Sequence, residues 1–381
     1  MRGLVVGLTA LCACGRFGFE SRHDNGGGDD AGGDIDGEVT PVACTPTRTT
    51  LASDATNASI AWSGTTFGVL WQATDSVMFT TIDAQGARGP TMTVHTGDMP
   101  SAGEVVARSG GFAASWYEFD VAQSRHQVGF ALLDASGATT ASSVNVRDNA
   151  AAAGFAVYLP IVAHTAGYAV GMTDMRSGGG NYSIYASPVT TTATKAGPDI
   201  PLVPGTRRIL QDLVASNGSY IVAFTAGASD DLYLGRRGMD GAVIGTDVLV
   251  STAVSSLAEI DVSDEVGIVW AETDRLRFAR YALDLTPIGA WEVPDSVTVG
   301  SVDWPSIARA GASYVVTWIE SPPSGDELQE RTISSAGAQL ATFGEPVNAG
   351  SGETTVQSAP GAHVTMWNDG TTLELRIACA P

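Results

Sequence analysis

Charge is scarce in this sequence, and positive charge most of all. Charged residues make up 16% of its 381 residues, whereas about a quarter is usual for soluble domains. The 41 acidic residues outnumber the 20 basic ones, so the net charge is −21 at pH 7, and Lys195 is the one lysine. Nucleic acids and anionic lipid surfaces attract positively charged proteins. The composition therefore excludes nucleic acid as a partner and argues against docking on anionic lipid headgroups.

Recognisable catalytic and metal-binding motifs are also missing. The sequence contains no Gly-x-Ser-x-Gly elbow, no His-Glu-x-x-His and no phosphate-binding loop. Its four cysteines lack the spacing of a zinc site. The five histidines follow no ligand or triad spacing: His23, His95, His126, His164 and His363. We therefore predict neither a cofactor nor a catalytic residue from motifs.

The first fourteen residues have the layout of an export signal. A positive start, Met1–Gly3, precedes the apolar run Leu4–Leu11, which is too short to span a bilayer because a spanning helix takes about 20 residues. The segment Leu11–Cys14 resembles the bacterial lipobox, with a branched apolar residue three positions before the cysteine and a small residue directly before it. The resemblance implies cleavage after Ala13 and lipid, including palmitate, on Cys14. The alternative is an ordinary signal peptide cut near Ala13.

Three segments follow from this organisation. They are a signal peptide at residues 1–13, a lipidated flexible linker at 14–43 and a folded domain at 44–381. Most of the linker is rich in Gly and Asp and nearly free of apolar side chains, so it cannot bury enough surface to offset its ordering entropy. A calcium loop starting at Asp34 is the alternative, but Val39 and Thr45 stand where that motif needs Gly and Glu.

A five-residue apolar phrase recurs seven times and predicts the fold. The phrases are Phe67–Trp71, Phe112–Trp116, Tyr168–Met172, Tyr220–Phe224, Val266–Trp270, Tyr314–Trp318 and His363–Trp367. Their last residues are 45 to 56 positions apart. A repeat of about 40–50 residues that carries several short strands is typical of a β-propeller blade. We therefore predict an all-β, seven-bladed β-propeller of four-stranded blades, although six or eight blades stay open if residues 186–210 are misread.

The chain ends predict how the ring of blades closes. The seventh unit contains three candidate strands, the last of them Leu373–Cys379, before the chain ends. Pro46–Ser53 has an extended pattern and belongs to no other unit. If these two segments pair, Cys44 and Cys379 lie side by side. We predict that they form a disulfide, which requires an oxidising compartment and agrees with export; the alternative is two free thiols.

The aromatic residues of the phrases predict a core rather than a ligand site. A strand that is apolar on both faces needs neighbours packed above and below it. In a propeller these neighbours are the adjacent blades. We therefore assign the tryptophans at the ends of the phrases to packing between blades: Trp71, Trp116, Trp270, Trp318 and Trp367. His363 replaces the usual Tyr or Phe, and we predict a packed structural histidine.

Acidic residues follow the phrase in every unit. Loops after the second strand of each blade emerge on one face of a propeller, so these carboxylates predict an acidic rim that attracts cations or a basic partner. The candidate rim residues are Asp75, Asp120, Asp174, Asp230, Asp231, Asp274, Asp326 and Asp369. Calcium would suit their oxygens if two or three converge. The alternative is that loops are polar and this chain is acidic throughout.

Two segments resemble exported bacterial proteins. In the third unit, Tyr168–Met172 followed by Asp174–Arg176 and Ser183–Tyr185 resembles repeats found in exported bacterial proteins, and Cys14–Phe19 resembles the leaders of lipoproteins from myxobacteria and their relatives. These resemblances imply a surface lipoprotein built on a β-propeller. They imply no catalytic residues.

The function predicted from these features is binding. We expect a monomeric, lipid-anchored binding or scaffold module for an envelope protein or a glycan, at the outer membrane or cell surface rather than the inner membrane. The alternative is an extracellular polysaccharide hydrolase or lyase. Glycoside hydrolysis would require two carboxyl groups about 5–10 Å apart, and the sequence cannot place them.

Overall fold

The computed structural model describes most of the chain after residue 43. The described residues are 44–122, 125–148, 159–176, 182–205, 207–227, 229–273, 275–293, 301–322, 324–348, 353–370 and 372–379. The predicted signal peptide, Cys14 and the predicted linker lie outside them. Among these residues, no helix is long and apolar enough to cross a membrane.

Seven antiparallel sheets of four strands form the fold, and each sheet is one blade. The outermost strands are β1 (Thr47–Ser53), β5 (Met92–Thr96), β9 (Thr139–Ser143), β13 (Ile200–Val203), β17 (Val243–Ser251), β21 (Pro287–Glu292) and β25 (Gln339–Pro346). The innermost strands are β2 (Thr56–Trp62), β6 (Ser101–Arg108), β10 (Ile161–His164), β14 (Arg208–Ser216), β18 (Val254–Val262), β22 (Ser301–Ala310) and β26 (Thr354–Ala359).

The two middle strands of each blade carry the repeated phrase and the strand that follows it. The second strands are β3 (Thr66–Ala73), β7 (Gly111–Asp120), β11 (Gly167–Asp174), β15 (Ser219–Ala226), β19 (Glu265–Glu272), β23 (Ser313–Ser321) and β27 (Ala362–Asp369). The third strands are β4 (Ser76–Asp83), β8 (Arg125–Asp134), β12 (Ser183–Val189), β16 (Asp231–Gly238), β20 (Arg275–Ala282), β24 (Glu327–Ser334) and β28 (Thr372–Cys379).

The innermost strands contact one another in sequence around the axis, and β2 also contacts β26. The ring is therefore closed, and the predicted seven-bladed propeller is confirmed. Residues 186–210, which left the blade count open, contain the end of β12, the whole of β13 and the start of β14. This region therefore completes the third blade and begins the fourth.

Closure of the ring matches the prediction from the chain ends. Strand β1 pairs with β28, and Thr47 lies opposite Ile377. The seventh sheet therefore takes its outer strand from the start of the domain. The disulfide between Cys44 and Cys379 lies beside this seam, with their Cα atoms 5.5 Å apart. Two distant ends of the chain are thus joined by both hydrogen bonds and a covalent bond.

The second strands form the core between blades. Every residue of β11 and of β15 is buried, as expected for strands covered on both faces. The five predicted core tryptophans are at most 4% exposed, which confirms their packing role. In β3, Phe67 and Trp71 pack towards the seventh blade, whereas Leu70 packs towards the second, because successive side chains point to opposite faces of a strand.

Side chains at an irregular position of the innermost strands join neighbouring blades. The pairing register between the first and second strands shifts near this position in several blades. The residue at this position has a side-chain oxygen that accepts a hydrogen bond from a backbone N–H of the next blade. The pairs are Ser59 with Val105 at 3.1 Å, Glu104 with Ile161 at 2.6 Å, Asp212 with Ile260 at 2.9 Å and Ser306 with Val356 at 3.0 Å. These bonds give acceptors to backbone donors of the innermost strands, which are edge strands of their sheets.

Candidate functional site

The eight carboxylates predicted to form an acidic rim occupy different environments. Asp274 lies outside the described residues. Asp75 and Asp230 are exposed, Asp174 is buried, and four are half-buried: Asp120, Asp231, Asp326 and Asp369. In the described part of the chain, no three His, Cys, Asp or Glu side chains are grouped so that they could hold a metal ion. The acidic rim and its calcium stay predictions.

Asp174 is part of an ion-pair network between the second and third blades. Its carboxylate accepts two hydrogen bonds from Arg147, at 2.7 and 2.8 Å, and one from Arg176 Nη2 at 2.6 Å. Arg176 also contacts Asp199 at 2.5 Å. Burial by itself raises the pKa of Asp199, but hydrogen bonds from Lys195, Ser187 and Arg176 outweigh it and leave the pKa below its ordinary value. The Asp174 carboxylate is thus held by two guanidinium groups inside the protein and does not face the solvent.

His363 is a packed structural histidine, as predicted. It is 5% exposed, and its Nε2 lies 2.9 Å from Oε1 of Glu330. Burial raises the pKa of Glu330, but His363, the Arg376 guanidinium and the Thr365 hydroxyl outweigh burial and lower it to about 2. This group joins the sixth and seventh blades.

The other described histidines also have partners within the fold. His95 Nε2 lies 2.9 Å from Glu118, and the His95 ring stacks on Trp116. Burial and the nearby Arg147 charge lower the pKa of His126, which also contacts the Tyr117 hydroxyl. None of these pairs includes a nucleophile or a second acid in a catalytic arrangement, so the described histidines support no triad.

A cavity of about 310 Å³ lies where the third blade meets the fourth. Its lining residues are Val203, Pro204, Arg208, Phe224, Tyr233, Arg237, Val243 and Asp247. Strand β13, the outer strand of the third blade, has only four residues, whereas β17 has nine. We attribute the opening to this difference, because so short a strand leaves part of the face of the fourth blade uncovered. We call this cavity the blade 3–4 cavity.

Two aromatic rings form one wall of the blade 3–4 cavity. The rings of Phe224 and Tyr233 are stacked, with centroids 5.5 Å apart and an angle of 17° between their planes. Phe224 is the last residue of the repeated phrase and is buried, whereas Tyr233, opposite it on β16, is half-buried. The Tyr233 ring is thus supported from behind and partly accessible.

Polar groups stand at the edges of the same cavity. Arg237 is 2% exposed, and it is held by Asp247 through bonds of 2.7 and 3.0 Å and by the Leu202 carbonyl at 2.7 Å. The guanidinium carbon of Arg208 lies 6.0 Å from the Phe224 ring centroid. Arg208 Nε is buried without a hydrogen-bond partner among the described residues. The cavity therefore offers one paired arginine, one unpaired arginine and an aromatic face.

The blade 3–4 cavity is not among the sites predicted from the sequence. The sequence contains one signal for this cavity, which is the presence of two pairs of adjacent arginines in a chain with only 20 basic residues. The pairs are Arg207–Arg208 and Arg236–Arg237. The apolar lining residues carry no such signal, because they follow the ordinary strand pattern.

A second cavity lies beside the innermost strands of the fourth to seventh blades. It measures about 10 Å³, which is room for roughly one water molecule. Glu259 is the carboxylate in its lining, beside Gln211 and Trp304. A cavity of this size admits no sugar or peptide.

Comparisons with known proteins identify the architecture. No protein-family model matches the chain, and no curated protein matches its sequence. The polysaccharide lyase Uly1 is similar in structure, with a TM-score of 0.55 and 10% identity over 84% of this chain and 89% of the lyase. The Dos1 propeller has a TM-score of 0.51 and 7% identity over 86% and 93% of the two chains.

A prolyl endopeptidase has a TM-score of 0.52 and 14% identity over 88% of this chain and 50% of its own. At such identities, structural similarity shows the fold alone. The chain is a seven-bladed β-propeller, similar in structure to lyase and other propeller domains.

Proposed function

We propose that this protein is a binding module of the bacterial envelope that captures a glycan in the blade 3–4 cavity. In this proposal the lipid on Cys14 anchors the protein at the outer membrane or cell surface. The linker at residues 14–43 then separates the propeller from the membrane. Binding, and not chemical conversion, is the function of the propeller.

The observation that carries the proposal is the partly accessible Tyr233 ring stacked on Phe224 in a cavity with polar edges. Ligand pockets are mostly apolar and aromatic, with a few polar groups that orient the ligand, and they measure about 300–1,000 Å³. A flat aromatic face packs against the C–H face of a sugar ring, while arginine, carboxylate and phenol groups bond the ring substituents. The blade 3–4 cavity combines these features.

The cavity supports binding better than hydrolysis. Glycoside hydrolysis uses two carboxyl groups about 5–10 Å apart. Among the described lining residues there is one carboxylate, Asp247, and Arg237 holds it through two hydrogen bonds. Both oxygens of this carboxylate are engaged by the guanidinium, and no second described carboxylate lines the cavity to act with it.

The test is a titration of the full chain, purified in detergent, against immobilised polysaccharide extracted from the bacterial envelope. We expect saturable binding, and Tyr233→Ala should weaken it about tenfold, since truncating a central aromatic contact commonly costs over 1 kcal/mol. The matched control is Tyr185→Ala. Tyr185 lies opposite the last phrase residue of the third blade, as Tyr233 does in the fourth, but Arg176 covers its ring at 4.0 Å.

Three outcomes would contradict the proposal. If Tyr233→Ala leaves binding unchanged, the blade 3–4 cavity is not the binding site. Shortening of the polysaccharide during incubation would favour the hydrolase or lyase alternative. Capture of a single envelope protein, with no polysaccharide bound, would favour the scaffold alternative.

A further inference from the structure

We infer that the sugar bound in the blade 3–4 cavity is acidic, and that Arg208 recognises its carboxylate. The inference rests on the proposed function, and it adds the chemical class of the ligand. It comes from a different residue than the one that carries the proposed function, so the two can fail separately.

Arg208 is the arginine of the cavity that has no ion-pair partner among the described residues. Its side chain makes no ion pair or hydrogen bond with any described residue, and its Nε is buried. The chain is acidic, with a net charge of −21, yet no described carboxylate pairs with this arginine. Arg237, in the same cavity, has Asp247, and Arg147 has Asp174.

The cavity places Arg208 where a ligand could complete its bonding. Its backbone N–H bonds to the Tyr182 carbonyl at 3.1 Å, which fixes the start of β14 against the third blade. The guanidinium then lines the cavity beside Phe224. A buried donor without an acceptor is unfavourable. A ligand carboxylate that pairs with the other N–H groups of the guanidinium would offset this penalty, which makes Arg208 a preformed binding group.

A carboxylate is the group that matches this arginine. The guanidinium presents its donors in a planar fork that fits two carboxylate oxygens, and such charge-assisted bonds are stronger than neutral ones. The Tyr233 hydroxyl makes no hydrogen bond with any described residue, and Asp247 keeps a side-chain exposure of 32%. These two groups are suited to sugar hydroxyls. An acidic sugar ring uses all three groups, whereas an acidic peptide would use only the arginine fully.

The repulsion from the rest of the acidic protein does not prevent this recognition. Charges separated by more than about 8 Å are largely screened at physiological ionic strength. The nearest carboxylate in the cavity lining, Asp247, is paired with Arg237. A singly charged sugar therefore meets a local environment in which the unpaired charge is positive.

The experiment compares two probes that differ only in the carboxylate: methyl glucuronoside and methyl glucoside. Each is titrated into the full chain in detergent at 0.15 M salt and followed by ligand-observed NMR. We expect the glucuronoside to bind at least about tenfold more tightly. Arg208→Gln should abolish this preference, and Arg208→Lys should restore part of it because the charge returns without the planar fork.

The matched control is Arg207→Gln. Arg207 is the adjacent arginine, it is exposed, and it does not line the cavity, so the change in net charge is the same. We expect the preference for the glucuronoside to stay within about twofold of the unmodified protein. Thermal unfolding of each variant shows that the fold is retained.

Each remaining outcome decides one of the two proposals. Equal binding of both probes, lost in Tyr233→Ala, would overturn the acidic-sugar inference and leave the glycan-binding function in place. A glucuronoside preference that survives Arg208→Gln would also overturn the inference. Equal competition by N-acetyl-aspartate would favour an acidic peptide and overturn it too. Failure of both probes and of envelope polysaccharide to bind would overturn both proposals.

Discussion

Removing the disulfide between Cys44 and Cys379 should lower stability more than most single changes in this protein. The two cysteines are 335 residues apart in sequence. Loop-closure entropy for a loop of this length corresponds to about 6 kcal/mol at 25 °C, and measured effects are commonly somewhat smaller. We therefore expect the double variant Cys44→Ala, Cys379→Ala to lose about 4–6 kcal/mol of unfolding free energy.

The expected shift in melting temperature follows from the size of the domain. Unfolding entropy is about 2.1 cal/mol/K per residue, which is about 0.7 kcal/mol/K for a domain of this length. The double variant should therefore melt about 6–9 °C lower. Differential scanning calorimetry of the oxidised protein, the reduced protein and the double variant measures this shift, and reductant should have no effect on the variant.

The structure also predicts where opening begins. Without the disulfide, β1 is held to β28 by its backbone ladder, by the Thr50 bond to Glu374 at 2.6 Å and by the Arg48–Glu374 ion pair at 3.3 Å. An ion pair whose arginine side chain is about half exposed contributes little, so β1 should exchange its amide hydrogens first. A melting temperature within about 2 °C of the oxidised protein would refute the reasoning, because the seam would then be held by contacts other than the cross-link.

Three further predictions concern charge, anchoring and metal. The pKa of Glu330 is about 2 in the folded protein, below its ordinary value of 4.5. Its contribution to stability is therefore complete above about pH 4.5 and is lost as the pH falls towards 2. Urea unfolding should show that Glu330→Gln costs more stability at about pH 7 than at about pH 2.5, and an equal cost at both would contradict this. Cys14→Ser should abolish palmitate labelling and release the protein from membranes, whereas retained label would exclude lipidation at this residue. The acidic-rim hypothesis predicts weaker calcium binding after Asp230→Asn and Asp231→Asn, measured by calorimetry, and unchanged binding would remove it.

The blade architecture could be predicted because its signals are local. Each phrase is a continuous run such as Tyr314–Trp318, and its burial depends on the strand pattern within one repeat. Closure of the ring of blades could also be predicted, because Pro46–Ser53 belongs to no other repeat and Cys44 and Cys379 lie at the two ends of the folded region. The paired strands β1 and β28 bear this out.

The candidate site could not be predicted, because it depends on distances between blades. Val203 and Tyr233 come from different blades, and their separation depends on the length of β13. The acidic loops illustrate the same limit. A sequence shows that Asp174 follows a strand, but its partner Arg147 comes from the connection that precedes the blade. An acidic residue in a predicted loop therefore does not show whether its carboxylate has an ion-pair partner in the folded protein.

Hydrogen–deuterium exchange of the full chain, with and without saturating envelope polysaccharide, tests the central claim most directly. Glycan binding in the blade 3–4 cavity predicts slower exchange in the two chain segments that carry most of its lining residues, 203–208 and 233–247. The other blades should exchange as before. Protection on the loops that carry Asp75 and Asp230, with residues 203–208 unchanged, would contradict the account.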